Sequence, residues 1–221
     1  MLLEKEREEL IVYGKKMIIE NLTKGTGGNL SVFNRDKNLM AITPSGIGYF
    51  DITPKDIVII DVTTGKIVDG HRVPSSECDM HRIFYKYRDD IDAVVHTHST
   101  FSTTISCLNI NLPPIHYILA TAGVDVRCAE YATYGTVRLA KNAFEAMKNR
   151  NAALLANHGL ITGGKTLKEA FSIALDVEFC SELFCRAKSM GEPISLSVEE
   201  MTSMMERFKN YGKRIEEHEE I

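Results

Sequence analysis

Two histidines separated by one residue, His96 and His98, follow the apolar run Ala93-Val94-Val95. That run predicts the end of a buried β-strand, and strand side chains alternate between faces, so the two imidazoles point the same way. A second apolar run over residues 152–156 leads into Asn157-His158-Gly159 and offers a third imidazole at a strand exit. A catalytic zinc site needs about three protein ligands and one open position. Three histidines of this kind therefore predict a metal site where the two strands end.

A carboxylate lies in the second informative motif, Ser75-Ser76-Glu77, at the start of a predicted helix. Hydroxyl groups and free backbone N–H groups at a helix start favour a bound anion, although a plain N-cap is the commoner use of serine there. Glu77 either compensates the helix dipole or, if it faces the histidines, ligates the metal or acts as a general base. A second ligand set pairs Glu77 with His81, four residues on. We rank it lower, because His81 is more simply an exposed helix residue.

A glycine-rich run, Gly25-Thr26-Gly27-Gly28-Asn29, is the third motif. Successive glycines bring backbone N–H groups close to a ligand and suit a phosphate, but a helix stop before a hairpin explains the run about as well. The run lacks the Lys-Ser/Thr ending of a Walker loop and follows a helix rather than a strand. Ser45-Gly46 is a second small polar turn. Together, the motifs indicate metal stabilisation of an enolate or alkoxide in a phosphorylated substrate.

Composition limits the class of protein. The 221 residues fit one domain (1–221), and 44% hydrophobic and 25% charged residues are typical of a globular protein. The net charge of −4 argues against a nucleic-acid partner. No apolar stretch approaches the roughly 20 residues of a membrane span, and no signal peptide is evident. The five scattered cysteines argue against a disulfide framework, so we expect a cytoplasmic protein that does not bind membranes.

Hydrophobic periodicity predicts a mixed α/β fold with antiparallel hairpins and flanking helices. We expect helices over residues 3–21, 76–87, 99–107, 136–148, 167–190 and 198–211. Strands are expected over residues 30–33, 39–42, 57–61, 66–68, 93–97 and 152–156. Residues 112–129 have no clear pattern, and Thr162-Gly163-Gly164, between the last strand and the long helix, is assigned to no element.

The motifs, in combination and in order, resemble the class II sugar-phosphate aldolases of the L-fuculose-1-phosphate aldolase type. That family also includes L-ribulose-5-phosphate 4-epimerase and the adducin head domain. The resemblance covers nearly the whole chain. It rests on Gly25-Thr26-Gly27-Gly28-Asn29, Thr43-Pro44-Ser45-Gly46-Ile47, Pro74-Ser75-Ser76-Glu77, residues 93–98, Ile115-His116-Tyr117, residues 131–136, Asn157-His158-Gly159-Leu160 and Phe208-Lys209-Asn210-Tyr211-Gly212.

The resemblance implies a three-layer α/β/α fold around a central, largely antiparallel mixed sheet, and a homotetramer with active sites at subunit interfaces. It implies one Zn²⁺ per subunit on His96, His98 and His158, with Glu77 as a fourth ligand that leaves the metal to act as acid/base. Tyr117 of a neighbouring subunit would protonate or polarise the aldehyde oxygen. The substrate phosphate and aldehyde would be held by Gly28, Asn29, Ser45, Gly46, Ser75, Ser76, Tyr134 and Tyr211.

The implied reaction, in carbohydrate metabolism, is reversible cleavage of a ketose 1-phosphate, L-fuculose 1-phosphate above others, to dihydroxyacetone phosphate and L-lactaldehyde. Ser45 and Tyr134 stand where the best-known member has Thr and Phe. The first difference keeps the hydroxyl, and the second adds one on the aldehyde side.

Three alternatives remain at this point. The epimerase branch carries Asp in place of Glu77 and needs a further Asp after the two histidines, whereas residues 99–124 contain no Asp. A dehydratase acting on a related sugar phosphate would use the same metal. A non-catalytic, adducin-like module would have lost the metal ligands, and here all of them are present.

Overall fold

A computed structural model describes residues 1–210, and its centre is one eight-stranded sheet flanked by helices on both faces. The helices are α1 (Glu4–Ile19), α2 (Cys78–Tyr87), α3 (Thr100–Cys107), α4 (Val137–Ala146), α5 (Leu167–Met190) and α6 (Val198–Asn210), with a 3-10 helix at Tyr117–Thr121. The strands are β1 (Asn29–Asn34), β2 (Leu39–Ile42), β3 (Val58–Asp61), β4 (Ile67–Asp69), β5 (Ala93–Thr97), β6 (Arg127–Ala129), β7 (Ala152–Leu155) and β8 (Gly159–Gly164).

The strand order is β4-β3-β2-β1-β5-β8-β7-β6. Every neighbouring pair is antiparallel except β6 and β7, which run parallel. Strand β5 lies in the middle of the sheet, and all five of its residues are buried, as its apolar sequence predicts. The predicted mixed, largely antiparallel sheet is confirmed.

Two hydrophobic clusters, one on each face of the sheet, produce the predicted three layers. On one face α1, α3, α5 and α6 contribute buried residues such as Leu10, Ile105 and Val177. On the other face α2 and α4 contribute residues such as Phe84 and Leu139. Alternation along β1 sends Leu30 to the first cluster and Phe33 to the second.

Strand β8 is not predicted from the sequence; it ends in Thr162-Gly163-Gly164 and pairs with both β5 and β7. The glycines are needed where neighbours approach closely. A methyl group on Gly163 would lie 2.7 Å from the Ile91 side chain, and one on Gly164 would lie 2.8 Å from the Ala170 backbone nitrogen. Such contacts depend on tertiary packing, whereas the local sequence signal favours a turn. No helix within residues 1–210 is long and apolar enough to cross a membrane.

Candidate metal and sugar-phosphate site

Three imidazoles meet at one end of the sheet. His96 is in β5, His98 follows that strand, and His158 lies in the tight turn between β7 and β8. Because β8 pairs directly with β5, this turn lies beside the two histidines. One ring nitrogen from each histidine lies within 4.8 Å of the other two, and His96 Nε2 is 3.0 Å from His98 Nε2. The geometry fits three nitrogen ligands converging on one cation.

The tautomer of His96 is set by the backbone. Its ring is fully buried, and Nδ1–H donates to the Leu160 carbonyl oxygen at 2.9 Å. A neutral imidazole with its proton on Nδ1 leaves the Nε2 lone pair free toward the other two histidines. Proteins usually orient a metal-binding histidine in this way, by a hydrogen bond from the ring nitrogen that does not bind the metal.

Glu77 supplies an oxygen beside the three nitrogens. Its Oε2 lies 3.2 Å from His96 Nε2, and its Oε1 lies 3.3 Å from His158 Nε2. Asn29 Nδ2 donates to Oε2 at 2.8 Å, whereas Oε1 is buried without a hydrogen-bond partner among the described residues. A buried, unpartnered carboxylate oxygen is costly unless a cation satisfies it. Three imidazoles with a carboxylate form a donor set that zinc commonly accepts.

The charges of the group favour metal binding at neutral pH. Burial alone would raise the pKa of Glu77, but the adjacent His96 and His158 and the amide of Asn29 hold it below its usual range, so Glu77 is ionised. Burial and the nearby His96 charge lower the pKa of His98 and of His158 to about 4, so both rings are neutral. For His96, burial lowers the pKa and Glu77 raises it, with a net increase. A divalent cation bound to Nε2 would take the place of any proton on that nitrogen.

A cavity of ≈ 410 Å³ opens next to this cluster, within the size range of small-molecule sites. Two loops form one wall, since Ser45 N–H donates to the Val73 carbonyl and Ser75 N–H donates to the Thr43 carbonyl. The lining residues are Thr26, Gly27, Gly28, Asn29, Pro44, Ser45, Gly46, Ser75, Ser76, Glu77, His98, Tyr131, Ala132, Tyr134, Asn157 and His158. The N-terminus of α2 also lies at this wall, so the helix dipole favours an anion there.

The glycine-rich loop is held in place by a buried tyrosine. Tyr49 is 4% exposed, and its hydroxyl donates to the carbonyl oxygens of Gly27 and Gly28 at 3.2 and 2.8 Å. Gly28 has φ +70°, and a methyl group there would lie 2.5 Å from the His96 carbonyl oxygen. Only glycine therefore allows this loop to approach the strand that carries the histidine.

Residues 8–185 match the protein family described as the class II aldolase and adducin N-terminal domain. The chain belongs to this family. The 5-deoxy-D-ribulose 1-phosphate aldolase of Bacillus thuringiensis serovar kurstaki is 51% identical over 97% of this chain and 100% of its own length. The L-fuculose phosphate aldolase of Escherichia coli K12 is 43% identical over 89% of this chain and 90% of its own. A solved L-fuculose 1-phosphate aldolase structure has a TM-score of 0.91 and 56% identity, and the match covers 93% of this chain and 96% of that one.

For this member of the class II aldolase family, most of the residues selected from sequence lie together. Glu77, His98 and His158 line the cavity, and His96 lies behind them, fully buried. Tyr117 does not line the cavity of its own chain. The cavity is also lined by the predicted substrate-binding residues Gly28, Asn29, Ser45, Gly46, Ser75, Ser76 and Tyr134.

The two remaining tyrosines are placed differently. Tyr117 begins the 3-10 helix, is 51% exposed, and stacks on His116 and Phe208 with ring centroids 4.6 and 6.3 Å away. Tyr211 lies outside the described residues, so its predicted contact with the aldehyde stays a prediction.

Two local interpretations were wrong. His81 is not an exposed helix residue, because its ring is fully buried and its nitrogens contact Asn29 and Ser31. The lower-ranked ligand pair of Glu77 with His81 has no support in this geometry. The second wrong interpretation concerns the start of helix α2, which was expected at Ser76 with a serine as its N-cap. The helix begins at Cys78 with Glu77 as its N-cap, and Ser75 Oγ accepts from the Glu77 N–H at 3.3 Å.

Sequence reasoning also missed Thr26, Tyr131 and Asn157 as lining residues. All three lie within the motifs that carried the resemblance, so proximity to a selected residue was the available signal.

Proposed function

We propose that this chain is a zinc-dependent aldolase that reversibly cleaves a ketose 1-phosphate to dihydroxyacetone phosphate and a short aldehyde. One observation carries the proposal: His96, His98, His158 and the buried Glu77 converge beside a cavity that is also lined by small, polar loops. A cation site next to an anion-favouring helix N-terminus suits a substrate with a carbonyl and a phosphate. A non-catalytic, adducin-like role would leave unexplained why the buried Oε1 of Glu77 accepts no hydrogen bond from the described residues and faces His158.

Each protein group then has a defined task, described here in the direction of condensation. The glycine-rich loop and the two serine-containing turns bind the phosphate through backbone N–H groups and hydroxyls. Glu77 removes a proton from the carbon of dihydroxyacetone phosphate that forms the new bond to the aldehyde carbon. Tyr117 of a neighbouring subunit gives its proton to the aldehyde oxygen, which becomes a hydroxyl. Zinc supplies Lewis-acid stabilisation for the negative charge that develops on the ketone.

The proposed substrates are deoxyketose 1-phosphates, whose aldehyde half ends in a methyl group. L-fuculose 1-phosphate, which yields L-lactaldehyde, is the expectation from the motifs. The 51% identical relative is named for 5-deoxy-D-ribulose 1-phosphate, which yields acetaldehyde, and it adds a second candidate of equal standing. Tyr131 and Tyr134 form the aromatic part of the cavity lining, where the aldehyde half would lie.

The test is release of dihydroxyacetone phosphate by the zinc-loaded protein. Each ketose 1-phosphate is supplied in turn, and the product is reduced by glycerol-3-phosphate dehydrogenase with loss of NADH absorbance. Cleavage of at least one of the two substrates is expected. Absence of product from both, or epimerisation of L-ribulose 5-phosphate at a higher rate than any cleavage, would contradict the proposal.

We further propose a cytoplasmic homotetramer with the active site between subunits. The exposed ring of Tyr117, outside the cavity of its own chain, supports a role across an interface. Light scattering should give a mass near four times the 24.8 kDa of the chain. A monomer with full activity would remove Tyr117 from the site.

A further inference from the structure

A buried row of polar side chains lies directly behind Glu77, between helix α2 and strand β1. Glu77, His81 and Tyr85 are spaced four residues apart and share one face of the helix. Asn29 and Ser31 are two residues apart and share one face of the strand. None of the five is more than 6% exposed. Buried polar groups need hydrogen-bond partners, and these five residues hydrogen-bond to one another.

Short hydrogen bonds connect the row. His81 Nε2 lies 2.5 Å from Asn29 Oδ1, and His81 Nδ1 lies 2.7 Å from Ser31 Oγ. At one end, Asn29 Nδ2 donates to Glu77 Oε2 at 2.8 Å. Tyr85 stands at the other end, where its hydroxyl is 2.5 Å from Ser31 Oγ and 3.0 Å from the Ser31 carbonyl oxygen.

The chemistry of each group fixes the direction of these bonds. An ionised carboxylate only accepts, so Asn29 must turn its NH₂ toward Glu77 and its oxygen toward His81. The amide oxygen also only accepts, so His81 must carry its proton on Nε2. The ring is fully buried and touches only a neutral amide and a neutral hydroxyl, so it is neutral and Nδ1 is an acceptor. Ser31 must therefore donate its hydroxyl proton to Nδ1.

We propose that His81 is a positioning residue, whose Nε2–H tautomer, stabilised by the hydrogen bond that Nδ1 accepts from the Ser31 hydroxyl, holds the Asn29 amide with its NH₂ group toward Glu77. The opposite tautomer would present a lone pair to Asn29, and the amide would then turn its oxygen toward the carboxylate, where two acceptors repel. This inference rests on the proposed function of Glu77 as acid/base. Asn29 also lines the cavity, so the same amide orientation serves the substrate side.

Two variants that each delete one buried hydroxyl separate positioning from general stability. Ser31→Ala removes the donor to His81 Nδ1, whereas Tyr85→Phe leaves that donor in place. Each change deletes hydrogen bonds from a buried hydroxyl, so similar losses of thermal stability are expected. Ser31→Ala should lower kcat tenfold to a hundredfold, the usual range for groups that orient metal ligands, with KM changed less than about threefold and zinc content unchanged. Tyr85→Phe should keep kcat within about twofold, and Ser31→Thr, which restores a hydroxyl, should recover most of it.

A direct readout does not depend on activity. In ¹⁵N-histidine-labelled, zinc-loaded protein, the His81 signal, assigned by its loss in His81→Gln, should show Nε2 protonated and Nδ1 unprotonated. A proton on Nδ1 in the wild-type protein would overturn the inference, even if Ser31→Ala fails to fold. Equal kcat losses in Ser31→Ala and Tyr85→Phe would also overturn it. Wild-type protein that cleaves no ketose 1-phosphate would refute the proposed function instead, and the tautomer would still be measurable.

Discussion

Replacing Gly28 with alanine tests whether the glycine-rich loop positions the metal cluster. Gly28 precedes β1, and its φ of +70° lies in the left-handed region that disfavours side chains. The added methyl group would lie 2.5 Å from the His96 carbonyl oxygen, about 0.8 Å closer than an ordinary carbon–oxygen contact. Strands β1 and β5 would have to separate by that distance where Asn29 pairs with His96.

Gly25→Ala is the matched control. Gly25 has φ +62° in the same loop, but a methyl group there has open space around it. Both variants lose about 1–2 kcal/mol to the left-handed backbone. Only Gly28→Ala adds the contact, which at about 1–3 kcal/mol for overpacking brings its total to about 2–5 kcal/mol. A shift near 1 Å in the catalytic frame costs about 10²-fold in rate, so kcat should fall by that order only in Gly28→Ala.

Urea unfolding of the zinc-free proteins at one protein concentration measures the free energy of unfolding without a contribution from metal binding. The coupled assay for dihydroxyacetone phosphate measures kcat in the zinc-loaded proteins. If Gly28→Ala were within 0.5 kcal/mol of Gly25→Ala and cleaved substrate at the wild-type rate, the contact with His96 would not position the site.

Three further predictions concern the cluster and a carboxylate that is not part of it. Glu77→Gln should keep zinc, as measured by mass spectrometry of the metal, but lose about 10²–10⁴-fold in kcat, since the amide cannot take a proton; near-normal kcat would remove Glu77 from the acid/base role. His96→Ala should bind less zinc and lose activity, and full zinc content would contradict its role as ligand. The Thr53 hydroxyl, with Arg72, lowers the pKa of Asp56 to about 2, so Asp56 stabilises the fold above about pH 4 and ceases to do so as pH falls toward 2. The unfolding free energy of Asp56→Asn should therefore be below that of the wild type at pH 7 and approach it by pH 2; a constant gap would refute this account.

Much of the sheet could be predicted because its strands carry a strong local pattern. Strands β1 and β2 carry mainly apolar residues on either side of a polar turn, and β5 begins as an apolar run. Strand β8 could not be predicted, since Gly163 and Gly164 are turn residues locally and strand residues only because neighbours leave no room for a side chain. The region around the 3-10 helix at Tyr117–Thr121 and β6 has short elements held by tertiary contacts, so it carries no periodic signal.

The candidate site also has features that the local sequence predicts and features that depend on tertiary contacts. Strand alternation placed His96 and His98 on one side, but their convergence with His158 depends on the pairing of β5 with β8, which no local pattern encodes. His81 was misjudged because an isolated histidine on a helix is usually exposed. The signal that could have corrected this was the spacing of Glu77, His81 and Tyr85 opposite Asn29 and Ser31, two periodicities that match only once α2 lies over β1.

The central claim is that the three histidines and Glu77 hold the metal on which aldol cleavage depends. The most direct measurement is to remove metal with a chelator, add Zn²⁺ back in steps, and record bound zinc and dihydroxyacetone phosphate release together. We expect no cleavage in the metal-free protein, and cleavage that rises in proportion to bound zinc and saturates at one ion per chain. Cleavage by metal-free protein, or full zinc occupancy without cleavage of either deoxyketose 1-phosphate, would contradict the account.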